Sequence, residues 1–180
     1  MLVENTSITG IRILSPKVFS DERGSFMETY NARTLREVGI NETFVQDNFS
    51  SSKRNVLRGL HYQIQHPQGK LIRVTLGQIC DVAVDLRKQS ATFGQHVAIT
   101  LSAENRRILW LPVGFAHGFV VLSDVAEVAY KTTDYYSPEA ERTIAWNDPE
   151  LAIDWPVRRE DVVLSAKDAA GKPFRKAEYF

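Results

Sequence analysis

Two histidines, a lysine and a handful of acidic and phenolic side chains stand at spacings that suit proton transfer. The densest stretch is Val56-Leu57-Arg58-Gly59-Leu60-His61-Tyr62-Gln63, followed after a short break by Gln68-Gly69-Lys70-Leu71-Ile72-Arg73. Strand alternation puts Gly59, His61 and Gln63 on one face. A turn then brings Lys70 onto the next strand, where a hairpin sets it close to His61. An imidazole accepts protons and an ammonium holds negative charge on oxygen, so the pair suits acid–base work beside a carbonyl. The same pattern also fits a solvated hairpin of ordinary polar residues.

A second stretch is Pro112-Val113-Gly114-Phe115-Ala116-His117-Gly118-Phe119. Pro and Gly turn the chain so that His117 enters the next strand. The spacing P-x-G-x-x-H resembles the second motif of cupins, small double-stranded β-helix barrels in which this His points into the barrel mouth, often as a metal ligand. A metal centre needs about three or four ligands, and the usual partner motif carries H-x-H. The corresponding His61-Tyr62-Gln63 offers one imidazole, so the cage is incomplete and neither metal nor cofactor is expected. The alternative role for His117 is structural, satisfied by a buried carboxylate. Asp81 and Asp85 share one face of Asp81-Val82-Ala83-Val84-Asp85 and are the candidates.

Two further clusters add chemistry. Tyr130 precedes Lys131-Thr132-Thr133-Asp134-Tyr135-Tyr136, with Glu141 beyond. A strand Tyr usually packs, but its phenol can also donate a proton and its ring can stack on a base. In Leu164-Ser165-Ala166-Lys167-Asp168, Asp168 either caps a short helix or orients His61 and stabilises its protonated form. Arg23, Arg58, Lys70 and Lys167 together have the charge to bind a diphosphate.

The elements that must position these groups are mostly short strands: Gly10–Leu14, Ser25–Tyr30, Val56–Gln63, Lys70–Leu76, Ile79–Leu86, Gln95–Leu101, Arg107–Leu111, Gly118–Leu122 and Ala126–Thr132. Their period-two alternation and regular spacing favour a sandwich or barrel. Helix signals are few: Asn31 caps a short helix through Val38 with Gly39 as its stop, Ser165 opens a C-terminal turn, and Asp148-Pro149 opens another. No Gly-rich loop leads from a strand into a helix, which disfavours a dinucleotide or P-loop enzyme.

Composition narrows the class. The 180 residues are 43% hydrophobic and 24% charged, enough for a buried core in a single domain spanning 1–180. Lys plus Arg and Asp plus Glu each number 22, and zero net charge argues against a nucleic-acid binder. No apolar run is long enough for a membrane span, Met1 to Gly10 does not read as a secretory signal, and the lone Cys80 reads as packing. A cytoplasmic location is expected.

Taken together, the landmarks resemble the dTDP-4-dehydrorhamnose 3,5-epimerase family over nearly the whole length. They are Pro16-Lys17-Val18-Phe19, Asp21-Glu22-Arg23-Gly24, Phe44-Val45-Gln46-Asp47-Asn48, Asn55 through Gln63, Gln68-Gly69-Lys70-Leu71, Gly114 through Phe119, Tyr130-Lys131 and Leu164 through Ala170. The resemblance implies an all-β, cupin-like jelly-roll barrel with a few short peripheral helices, an N-terminal strand arm and a short C-terminal helical tail. It implies a metal-independent isomerase acting on dTDP-4-keto-6-deoxy-D-glucose, inverting C3 and C5 to give dTDP-4-keto-L-rhamnose. His61 matches the family's base, Asp168 its paired carboxylate, Lys70 the lysine at the keto oxygen, and Tyr130 the tyrosine that protonates from the opposite face. Arg23, Glu28, Gln46, Asn48, Arg58, His117, Glu141 and Lys167 match sugar and diphosphate contacts, and Tyr136 the tyrosine that stacks on thymine. The family implies a homodimer with exchanged N-terminal strands, in which Arg23 and Glu28 serve the neighbour's site. His66, in a turn of variable length, has no match. The alternatives are a mono-epimerase of another 4-keto sugar and, further off, a metal-dependent cupin.

Overall fold

The computed structural model describes residues 1–180. Thirteen strands and two short α-helices follow in chain order: β1 (Leu2–Asn5), β2 (Arg12–Ser15), β3 (Val18–Asp21), β4 (Gly24–Met27), α1 (Ala32–Glu37), β5 (Gln46–Lys53), β6 (Leu57–Gln63), β7 (Lys70–Leu76), β8 (Gln78–Asp85), β9 (His96–Ser102), β10 (Ile108–Leu111), β11 (Phe115–Val121), β12 (Val125–Thr132), β13 (Glu141–Thr143) and α2 (Ala166–Ala169). A six-stranded sheet runs β1-β2-β10-β7-β12-β5 and a five-stranded sheet runs β13-β6-β11-β8-β9. The two stack with antiparallel pairing throughout, and β3–β4 forms a separate hairpin. This is the expected all-β jelly roll. All nine anticipated strands are present. Helix α1 is capped by the Asn31 side chain at Arg33 N and Thr34 N, as its sequence predicts.

Alternation sorts each strand between the interior and an outer face. Ile72 and Val74 of β7, Leu109 and Leu111 of β10, Ala126 and Val128 of β12, and Ile79, Ala83, Phe115, Phe119 and Val121 of the second sheet pack in one cluster between the sheets. The outer face of the five-stranded sheet is covered as well, by Leu151, Trp155 and Phe174 against Leu60, Tyr62, Cys80, Val82, Val84 and Val120. Burial on both faces explains why β11 is buried along its whole length and its sequence does not alternate. It also explains why β11 was expected to begin at Gly118 when it begins at Phe115. On the other side of the molecule, Leu35 and Ile40 pack α1 onto Leu14, Leu71, Ile108 and Trp110.

One expectation is corrected here. Strands β6 and β7 are not hairpin neighbours: β6 lies between β13 and β11, while β7 lies between β10 and β12 in the other sheet. His61 and Lys70 therefore meet across the interior, not along a shared edge. No helix is long and apolar enough to cross a membrane.

Candidate active site

Only one end of the interior is filled by apolar side chains. At the other end, inward-facing positions of both sheets are polar and enclose a cavity of about 390 Å³. Its walls are Gln46, Asn48, Phe49 and Ser50 of β5, Arg58 and His61 of β6, Lys70 of β7, His117 and Phe119 of β11, and Tyr130 of β12. Gln68, Tyr136, Glu141 and Lys167 close the rim.

A β-bulge decides which residues of β6 face this space. His61 pairs with His117 and Arg58 with Phe119, so three steps on β6 oppose two on β11. The extra residue shifts the alternation: Arg58 and His61 both line the cavity, whereas Leu57, Leu60 and Tyr62 pack in the outer cluster. The expected face of Gly59, His61 and Gln63 is corrected accordingly. Gly59 sits at φ +128°, and a Cβ there would lie 2.5 Å from Gly118 Cα. A Cβ on Gly118 would lie 2.8 Å from the Arg58 carbonyl oxygen. The bulge exists because both strands offer glycine at the crossing point.

His61 Nε2 lies 2.5 Å from Asp168 Oδ1. The same oxygen accepts the Gly59 N–H, and Asp168 Oδ2 accepts the Ser165 hydroxyl at 2.6 Å. Burial alone would raise the Asp168 carboxyl; the hydrogen bonds from His61, Ser165 and Gly59 outweigh it and hold it at about 2. Ser165 Oγ in turn accepts the Asp168 N–H. Ser165 is thus the helix cap, and Asp168, held by the Ser165 hydroxyl, is the imidazole partner. Next to it, His117 Nε2 lies 2.9 Å from Asp81 Oδ2. Asp85, the other candidate, is taken up by Arg87, Ser90 and Thr92.

Lys70 is buried at the cavity wall, and desolvation pulls its ammonium down to about 8. Burial raises the Tyr130 phenol above its ordinary value, with Arg58 opposing. At the rim, Glu141 accepts from Lys167 at 2.7 Å and from the Tyr136 hydroxyl at 2.8 Å. The loop carrying Tyr136 is pinned from below: Gln63 donates to the His66 and Tyr135 carbonyls and accepts from Ser137 N–H. Gln46 bonds both Asn48 and Tyr136 N–H, and Arg58 donates Nε–H to Ser52.

Ten of the anticipated residues line the cavity, and Asp168 backs His61. Arg23 and Glu28 do not reach it. Arg23 is at the exposed tip of the β3–β4 hairpin, bonded to Asp21, and Glu28 accepts from Asn31 and Thr34. His66 is an exposed loop residue near Asp134, and Cys80 is buried packing with its thiol pushed up to about 11 by burial. Phe49, Ser50, Gln68 and Phe119 were not anticipated; alternation from Asn48 and His117 carries Ser50 and Phe119 inward and was the available signal.

The family model described as dTDP-4-dehydrorhamnose 3,5-epimerase matches residues 5–176. The chain belongs to this family. Among curated relatives, the dTDP-4-dehydrorhamnose 3,5-epimerase of Pseudomonas aeruginosa is 56% identical over 100% of this chain and 99% of its own length. That of Salmonella typhimurium is 58% identical over 94% and 93%. Among solved structures, the dTDP-6-deoxy-D-glucose-3,5-epimerase of Legionella pneumophila, in complex with dTDP-4-keto-L-rhamnose, has a TM-score of 0.95 and 54% identity. It covers 98% of this chain and 94% of that one. The chain is therefore an isomerase of the 3,5-epimerase family, and its polar cavity is the place to look for the chemistry.

Proposed function

We propose that this epimerase inverts C3 and C5 of dTDP-4-keto-6-deoxy-D-glucose, giving dTDP-4-keto-L-rhamnose, inside the cavity between the two sheets. The observation that carries this reading is that a carboxylate-held imidazole, a phenol and a buried ammonium line one space of sugar size, with His61 and Tyr130 on opposite sheets. The C4 ketone acidifies hydrogens on both neighbouring carbons, because the anion delocalises onto oxygen. His61, with Nε2–H given to Asp168, presents Nδ1 as base. The C–H pair becomes the enolate π bond and the proton passes to Nδ1. Lys70 takes the charge that develops on the keto oxygen; one well-placed donor of this kind contributes about 3–4 kcal/mol. Tyr130 then gives its proton to the opposite face of the same carbon, which inverts it. Imidazolium and phenolate return to their starting forms by exchange with water before the second carbon reacts.

The nucleotide half supplies binding energy that holds the ring. In this reading Tyr136 stacks on thymine, Arg58 and Lys167 bind the diphosphate, and Gln46, Asn48, His117 and Glu141 orient the sugar and nucleotide. We further propose that a second copy of the chain completes the site with Arg23 and Glu28. Support comes from the β3–β4 hairpin, which stands outside both sheets and exposes Phe19 and Phe26 by 54% and 71%.

The test is NMR of the keto sugar with enzyme in deuterated water. Deuterium entering at both C3 and C5 is the expected result. Entry at one carbon overturns the double inversion in favour of a mono-epimerase.

A further inference from the structure

Four carboxylates are buried in this chain: Asp81, Asp85, Asp148 and Asp168. Three have both oxygens satisfied. Asp85 is held by Arg87, Ser90 and Thr92, Asp148 by the N–H groups of Glu150, Leu151 and Phe174, and Asp168 by His61, Gly59 and Ser165. Asp81 is the exception. Its Oδ2 bonds His117, but Oδ1 has no partner although the residue is fully buried. A buried oxygen left unpaired costs about 1–3 kcal/mol, more if charged, so it calls for an explanation. The Lys70 ammonium, on the facing sheet, likewise has no hydrogen-bond partner in the protein.

We propose that Asp81 is a positioning residue for the epimerisation: its half-satisfied carboxylate is the counter-charge that keeps Lys70 in its ammonium form. This rests on the reading of Lys70 as the group that receives enolate charge. The charged groups around Lys70 are Asp81 on β8, Glu141 on β13 and Lys167 on α2, with His117, His61, Arg58 and Tyr130 on the other cavity walls. Glu141 is already neutralised by Lys167 at 2.7 Å. Asp81 is not: its only side-chain partner is His117 at Oδ2, an imidazole whose affinity for a proton burial lowers, and its Oδ1 is free. Glu141 thus has both oxygens taken, by Lys167 and by the Tyr136 hydroxyl, whereas Asp81 keeps one unengaged. Burial draws the Lys70 ammonium down, and Asp81 is the largest influence in the other direction.

Asp81→Asn tests this, since it keeps the size and the carbonyl that accepts from His117 and puts a neutral amide NH2 in place of the charged, unpartnered oxygen. The expected result is an alkaline limb of kcat/KM moved to lower pH by about one unit or more. Activity then falls more at high pH than at low pH. A uniform loss across the pH range, with the limb unmoved, overturns the proposal. In a Lys70→Arg background, where the guanidinium stays charged, Asp81→Asn leaves the limb in place; a shift of similar size there is also contrary. Should Asp81→Asn not fold, ¹⁵N NMR of the Lys70 amine in the unaltered protein and in Glu141→Gln decides. An ammonium whose titration Glu141→Gln leaves in place supports the proposal, and an amine neutral throughout, or one whose titration is lost with Glu141, overturns it. Lys70→Ala with normal turnover removes the catalytic reading beneath it, whereas loss of turnover in Lys70→Ala together with an unmoved limb in Asp81→Asn overturns the Asp81 role alone.

Discussion

His61 owes its orientation to a carboxylate 107 residues further along the chain, and the residue-scale expectations follow from that pairing. His61→Ala removes the base and leaves the nucleotide contacts in place. Turnover should drop by about 10²–10⁴-fold or more while dTDP binds within a few-fold of normal, measured by a coupled assay and by calorimetry. Normal turnover in that variant would take His61 out of the mechanism. The second expectation concerns pH. Lys70 has its value lowered from the ordinary lysine range to about 8, so its charge is present below that pH and lost above it. Turnover should therefore decline as pH rises through about 8, and a profile flat to pH 10 would contradict the role given to Lys70.

At the scale of elements, the bulge between β6 and β11 is the feature on which cavity geometry turns. Gly118→Ala places a methyl group 2.8 Å from the Arg58 carbonyl oxygen and 3.1 Å from Leu60 Cδ2. The strands must part, at a cost of about 1–3 kcal/mol in stability. Thermal melting should show the loss, and kcat should fall with it because Arg58 and His61 both leave their places. A variant as stable and active as the parent would show that the crossing has slack. The sequence carried the glycines but not the bulge, since neither alternation nor turn chemistry reports a one-residue shift inside a strand. Strand β5 escaped for a related reason. Its inward positions Gln46, Asn48, Ser50 and Ser52 are polar because they face the cavity and its edge, so no apolar period marks the segment. Lys70 beside His61 was foreseen, but through the wrong partnership, because local sequence does not say whether two successive strands share a sheet. What was legible, the nine strands and the Asn31 and Ser165 caps, depends on periodicity or on short-range hydrogen bonding; for His117 alternation offered Asp81 and Asp85 alike, and only the fold, across 36 residues, chooses Asp81.

At the scale of the molecule, the interior is divided: one end of the sandwich is filled by apolar side chains and the other is kept open by polar ones. The β3–β4 hairpin lies apart from both, and the proposed sharing of Arg23 between copies has a direct test. Arg23→Ala and His61→Ala proteins, each impaired, are unfolded together and refolded as a mixture. Mixed dimers hold one site with both residues intact, so activity should reappear toward a quarter of normal, assuming random pairing. No recovery would place Arg23 in service of its own chain or of none. The long reach from His61 to Asp168 also has a temporal side. The α2 segment brings Lys167 to the cavity rim and Asp168 to His61, so the site is incomplete until that segment has docked on β6. During refolding, turnover should return no earlier than that docking. A newly made molecule thus gains activity only when its last segment swings into place.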